Sequence, residues 1–321
     1  MIVRWGLDEL PAVLAEAGVE RPLLVASPRW AGLELPETHA TWSEVPSERI
    51  DDAAVAAADA GGVLAVGGGS AIDLGKAISA ETGLPLVSVP TTYSGAEWTL
   101  FFGVRDPSRR MRGGGSGAKL AGVVYEPALT LGLPRPESGG TALNALAHAA
   151  EALYVRGHNP AADEWALRGA ELIGAALPRV LADGGDLDAR IELLRGAEAG
   201  GRALGGSGLA LAHAMAQALG GRYGLPHGAM NALSLPPALR FNAPAAGEAI
   251  GRFARALGAD DPAARVEELA RLAGFERLRD FGVPEDELAE AAEAASQRVG
   301  AKANPRPASA AEIEELYRSI W

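Results

Sequence analysis

The stretch Val63-Leu64-Ala65-Val66-Gly67-Gly68-Gly69-Ser70-Ala71-Ile72-Asp73-Leu74-Gly75-Lys76 carries three kinds of local order in succession. The apolar run 63–66 predicts a buried strand. Gly67, Gly68, Gly69 and Ser70 predict a tight turn, and the apolar spacing from Ala71 onward predicts a helix. This order brings backbone N–H groups up to an anion. Glycine permits close approach, and the helix start adds partial positive charge. Taken alone, the stretch also fits a strand-to-helix turn that binds nothing, so the flanking chain has to decide.

On the N-terminal side, 7–17 has helical spacing, and 22–26 reads as a strand ending at Ser27-Pro28-Arg29. In dinucleotide-binding domains an acidic residue near such a strand end often holds the ribose hydroxyls. Ser27 and Arg29 offer either a pocket tolerant of a 2′-phosphate or an ordinary polar turn. A short strand near Trp42 and a helix over 51–60 lead into the central stretch. On its C-terminal side, 84–89 predicts another strand, followed by Thr91-Thr92-Tyr93-Ser94, whose hydroxyls could reach a phosphate or nicotinamide ribose while Tyr93 lines a pocket. The basic segment 104–117 reads as a hairpin tip or as a lid, and 121–130 as a last strand. Strands alternating with helices predict an α/β domain with a largely parallel sheet. After Leu133-Pro134 strand-like runs give way to alanine- and leucine-rich helical patterns. The expected division is therefore an α/β domain over 1–134 and an all-helical domain over 135–321. Within the second, 228–239 and 247–258 read as separate helices, and Ser309 with Glu312 predicts a capping box.

Composition narrows the function. The chain has 321 residues, a net charge of −12 and no cysteine. The acidic balance argues against a nucleic-acid surface. The lack of cysteine removes thiolate metal sites and a cysteine nucleophile. No apolar run approaches the roughly 20 residues that span a bilayer. No leader is visible at Met1-Ile2-Val3-Arg4, so the expectation is a cytoplasmic protein with neither membrane nor nucleic-acid partners.

Three of the five histidines form a pattern with two amides. Asn144 and His148 share one helix face, His213 and Gln217 another, and His227 begins a third helical segment. Each could be an ordinary packing residue. Together they put polar groups into very apolar helices, where burial without partners is costly. An Asp with three His would make a divalent-metal site. Position 144 is Asn instead, a poor ligand for a dication, so the expectation is chemistry without a metal.

In order along the chain, these motifs resemble the iron-containing (group III) alcohol dehydrogenase superfamily, whose fold pairs a Rossmann-like domain with an all-α C-terminal domain, as in dehydroquinate synthase. Gly67 to Lys76 is similar to its pyrophosphate signature, Asp73 included. Within the superfamily the chain resembles the maleylacetate reductase branch. The similarity lies in Pro90-Thr91-Thr92-Tyr93-Ser94-Gly95-Ala96-Glu97, in Asn144-Ala145-Leu146-Ala147-His148 running on to Glu151-Ala152-Leu153-Tyr154, in Leu225-Pro226-His227, and in Asn304-Pro305-Arg306-Pro307. Gln217, where relatives commonly carry His, and Ala229-Met230-Asn231 depart from the branch.

The resemblance implies hydride transfer from NADH or NADPH to the enone of an unsaturated oxo-diacid, maleylacetate giving 3-oxoadipate, in a cleft between the domains. It implies cofactor contacts from Ser27, Pro28, Arg29, Gly67, Gly68, Gly69, Ser70, Asp73, Thr91, Thr92 and Ser94. Acid–base and orienting roles fall to His148, His213, His227 and Asn144. The anionic substrate is expected to meet Tyr93, Gln217 and the same four residues. A homodimer is implied. The alternative is an alcohol dehydrogenase or aldehyde reductase dependent on iron or zinc.

Overall fold

Aliphatic runs bounded by Gly, Pro and Ser set the strands of the sheet unit, which comprises residues 1–92 and 96–130 of the computed structural model. All residues from Met1 to Trp321 are described. In chain order the elements are β1 (Ile2–Trp5), α1 (Leu10–Glu16), β2 (Leu23–Ala26), β3 (Ala40–Trp42), α2 (Ile50–Ala56), β4 (Val63–Gly67), α3 (Gly69–Thr82), β5 (Pro85–Pro90), β6 (Phe101–Arg105), β7 (Met111–Ser116) and β8 (Lys119–Tyr125). Six strands form one parallel sheet in the order β1-β8-β5-β4-β2-β3. Registers Ala26 to Val66 and Gly67 to Pro90 align the C-terminal ends of β2, β4 and β5. That end of a parallel sheet is where ligands bind.

Sequence and structure differ locally for physical reasons. β1 was not expected; it is short and is defined by pairing with β8, Ile2 beside Gly122. The helix expected from residue 7 begins at Leu10, after a 3-10 turn over Leu7–Glu9. Pro11 has no N–H and its ring would clash with a helical Leu7 carbonyl. The basic segment is an antiparallel hairpin of β6 and β7. Its turn is tied to Asp106, which accepts from Arg110 N at 2.9 Å, from Ser108 Oγ at 2.7 Å and from Arg112 Nε at 2.8 Å.

The helical unit comprises residues 93–95 and 131–321. The segment 93–95, expected with the sheet domain, groups with the helices because its side chains and backbone bond there. Its helices are α4 (Arg135–Ala152), α5 (Pro160–Ala182), α6 (Leu187–Gly206), α7 (Leu211–Tyr223), α8 (His227–Leu257), α9 (Pro262–Ala273), α10 (Leu288–Ser296), α11 (Val299–Ala303) and α12 (Ala310–Ser319). Every residue of α4 from Ala142 to Ala152 is buried, so this helix is the core of the unit. The two helices expected within 228–258 run on as α8, broken only at Ala246, whose φ of −134° and ψ of 29° leave the helical region. Pro244 lies two residues before that break and interrupts the hydrogen-bond ladder there. Ser309 and Glu312 form the expected capping box, with Ser309 N donating to Glu312 Oε2 at 2.9 Å. No helix is long and apolar enough to cross a membrane.

Candidate active site

The glycine turn joins β4 to α3. Gly67 has a φ of +152°, a conformation that favours glycine. A Cβ on Gly68 would lie 2.8 Å from Thr92 Cγ2, so only glycine lets the turn lie against the next strand's loop. Thr91 N donates to Gly67 O at 3.0 Å, locking the two loops together. No side chain caps α3; Ala71 N and Ile72 N donate to Gly68 O, which leaves the N–H groups of Gly69 and Ser70 for an anion. Thr92 Oγ1 is buried beside the turn with no partner in the chain. The residues therefore fit a pyrophosphate-bearing cofactor. Ser27, Pro28 and Arg29 follow β2 on the neighbouring strand, with the Arg29 guanidinium 5.1 Å from the Trp30 ring centre.

Asp73 lies differently from expectation. Its Oδ1 is 2.7 Å from Lys76 Nζ, and its Oδ2 accepts from Gly103 N at 3.2 Å. Both oxygens thus serve the packing of α3 against the β6 hairpin. Lys76, buried at 1% exposure, also donates to Ala96 O, Thr99 Oγ1 and Phe101 O.

In the helical unit, α4, α7 and α8 bring the histidines together. A Cβ on Gly228 would lie 2.3 Å from Gly140 O, so α8 starts backbone to backbone against α4. His148 and His213 stack with centroids 4.7 Å apart and planes at 18°. His213 and His227 lie 5.9 Å apart at 54°.

A chain of amides orients two of the three rings. Asn144 Nδ2 donates to Ser94 O at 3.1 Å, and because a carbonyl only accepts, the amide orientation is set. The same Nδ2 lies 3.4 Å from His148 Nε2. Asn144 Oδ1 accepts from Asn231 Nδ2 at 2.7 Å, and Asn231 Nδ2 is 3.1 Å from His227 Nε2. His148 and His227 therefore present Nε2 as acceptors. His213 differs: its Nδ1 lies 2.7 Å from Glu151 Oε2.

Glu151 and Asn231 were missed as functional candidates. Glu151 stands within the quoted motif, three residues after His148 and hence on the same helix face. Asn231 follows His227 by four, the spacing already noted for Asn144 and His148.

Ser94, expected at the cofactor through its hydroxyl, meets the histidine cluster through its carbonyl, which accepts from Asn144 Nδ2. Tyr93 does not line an open pocket. It is fully buried, and its hydroxyl accepts from the buried Arg190 Nη1 at 2.9 Å. Gln217 Oε1 accepts from Arg298 Nη1 at 3.4 Å. Arg298 is desolvated, which lowers its pKa from the usual value.

The family model described as iron-containing alcohol dehydrogenase matches residues 4–121, and that of the C-terminal part of the Fe-containing alcohol dehydrogenase family matches 139–321. A maleylacetate reductase of Burkholderia cepacia is 39% identical over 280 residues, 86% of this chain and 79% of that protein. One from Sphingobium indicum is 38% identical over 275 residues, covering 85% and 78%. Among solved structures, a maleylacetate reductase from a Rhizobium species superposes with a TM-score of 0.88 at 31% identity, covering 100% of this chain and 95% of that one. An iron-containing alcohol dehydrogenase from Corynebacterium glutamicum gives 0.89 at 30%, covering 100% and 94%.

Proposed function

We propose a function on one premise: the chain belongs to the iron-containing alcohol dehydrogenase family. It is an oxidoreductase of the maleylacetate reductase type. Its substrate is an unsaturated oxo-diacid, maleylacetate, and its product 3-oxoadipate. NAD(P)H, when bound, supplies the hydride. The Gly67–Ser70 turn, with the Gly69 and Ser70 amides that open α3, holds its pyrophosphate, with the Thr91 and Thr92 hydroxyls beside it. The substrate gains hydride at the double bond, charge develops on the conjugated ketone oxygen, and carbon is then protonated. Asn144 and Asn231 hold the rings of His148 and His227 in place for the substrate's oxygens, and donors preorganised toward that oxygen stabilise the developing charge.

The family name implies iron, and the donor set does not fit it. The observation that carries this is Asn144, a neutral amide whose oxygen already accepts from Asn231 and whose nitrogen already donates to Ser94. No three His, Asp or Glu side chains of the chain converge as a set able to hold an ion. Catalysis is therefore read as independent of a metal. NAD(P)H oxidation with maleylacetate, measured on chelator-treated protein and again with added Fe²⁺ or Zn²⁺, tests both parts. The expected result is full activity after chelation and no gain on metal addition. Activity confined to small aldehydes or alcohols, and only with metal, would establish the metal-dependent reading instead. A cytoplasmic homodimer completes this reading, and a sedimenting species of one chain's mass would remove the dimer from it.

A further inference from the structure

We infer that Glu151 and His213 form a carboxylate–imidazole dyad: His213 delivers the proton that completes reduction, and Glu151 is its positioning residue. The inference rests on the reductase reading above and apportions roles among its three histidines.

The Glu151 carboxylate is fully buried. Oε2 accepts from Ala210 N at 2.8 Å and meets His213 Nδ1 at 2.7 Å, and Oε1 accepts from Ala212 N at 2.6 Å and His213 N at 3.3 Å. Glu151 on α4 thus caps the amino end of α7, which Ala210 itself leaves uncapped. A carboxylate surrounded by donors acts as acceptor, so His213 carries hydrogen on Nδ1. Its far nitrogen, Nε2, is buried and has no partner in the chain. Buried polar atoms are paired in folded proteins, so this atom is set to meet a ligand.

The neighbouring rings are held the other way round, by Nε2. His148 Nε2 and His227 Nε2 each face an amide nitrogen that donates, so a proton on either would set N–H against N–H. His213 alone can hold hydrogen at Nε2 without losing a hydrogen bond. The step balances. Hydride from the dihydronicotinamide forms a C–H bond at one alkene carbon, and the π pair shifts to make an enolate. The Nε2–H bond of the imidazolium then breaks to give C–H at the other alkene carbon. NAD(P)⁺, the saturated ketone and neutral Nδ1–H imidazole remain, and a solvent proton restores Nε2–H.

The test uses the full-length protein labelled with ¹⁵N-histidine, His213 being assigned by its loss in H213N. The expected spectrum shows the neutral His213 ring as the Nδ1–H tautomer. An Nε2–H tautomer, or a shift of Nε2 on stoichiometric addition of Fe²⁺ or Zn²⁺, would overturn the dyad. This arm needs no turnover, so wild-type protein that reduces no oxo-acid sinks the functional reading while leaving the dyad to be judged by its spectrum. In the kinetic arm, H213N and Glu151→Gln are each expected to lower kcat on the order of 10²–10⁴-fold. KM should move less than about threefold, because only the proton-transfer step is lost. Glu151→Asp should recover part of kcat. A folded Glu151→Gln protein with unchanged kcat, or one whose loss lies in KM alone, would overturn the positioning role.

Discussion

At position 144 an amide does what a carboxylate cannot, donating and accepting at once. Its nitrogen serves Ser94 O and its oxygen receives Asn231. Asn144→Asp would set a negative oxygen against the Ser94 carbonyl and place a charged donor among three imidazoles. The expected outcome is measurable binding of Zn²⁺ or Fe²⁺ by calorimetry, together with a fall in reductase kcat on the order of 10²-fold. A variant that binds no metal and keeps its rate would count against the role given to this amide. The spacing of Asn144 with His148 was legible because helical periodicity is written in sequence. The amide chain was not. Asn231 is 87 residues from its partner Asn144, and Arg190 is 97 from Tyr93. No local pattern announces such pairs, which is why Tyr93 read as a pocket wall and is a buried anchor.

Elements carry the next set of constraints. A methyl group on Gly68 would drive into Thr92 Cγ2, so Gly68→Ala is expected to weaken NADPH binding by about tenfold, roughly 1.4 kcal/mol. Fluorescence titration checks this, and unchanged affinity would separate the turn from the cofactor. Lys76 ties α3 to the residues leading into β6 through three hydrogen bonds and Asp73. Lys76→Met should keep the bulk of the side chain yet strand buried carbonyls, costing on the order of 3 kcal/mol in urea unfolding. A loss well under 1 kcal/mol would show that the loop finds other donors. Aliphatic runs and turn residues made β2, β4, β5 and β8 readable. β1 escaped notice because four residues at an edge owe their strand to the partner beside them. The length of α8 escaped for the opposite reason. The expected gap lay over 240–246, where Pro244 signals a break, whereas buried Phe241 and Asn242 carry the helix on to the kink at Ala246.

Over the whole molecule the acidic balance is offset by arginine pairs and capped helix ends. Hydrogen bonding lowers several carboxyls: Glu287 chiefly through Arg222, Glu312 through Ser309 N–H, Asp186 through Ala189 N–H and Asp106 through Ser108. Unfolded carboxyls titrate near about pH 4. The stabilisation from these groups is complete above that pH and is lost as pH falls through their lower folded values. The melting temperature is therefore expected to hold from neutral pH to about 5 and to drop steadily below about 4. In Glu312→Gln that drop should be shallower. An unchanged acid slope would remove Glu312 from the set.

The grouping of residues 93–95 with the helices has a consequence for how the chain can be divided. It passes from one unit to the other at 92/93, returns at 95/96 and passes over again at 130/131. Cutting once, between residues 130 and 131, would therefore yield a C-terminal piece deprived of Tyr93, Ser94 and Gly95. In that piece Arg190 would lose the tyrosine hydroxyl and Asn144 the carbonyl that sets its orientation. Such a fragment should be soluble only poorly and should regain order when a short synthetic peptide spanning 90–98 is supplied. Circular dichroism melts with and without the peptide would register the complementation, and a fragment equally stable alone would show that the helical bundle stands without its borrowed loop.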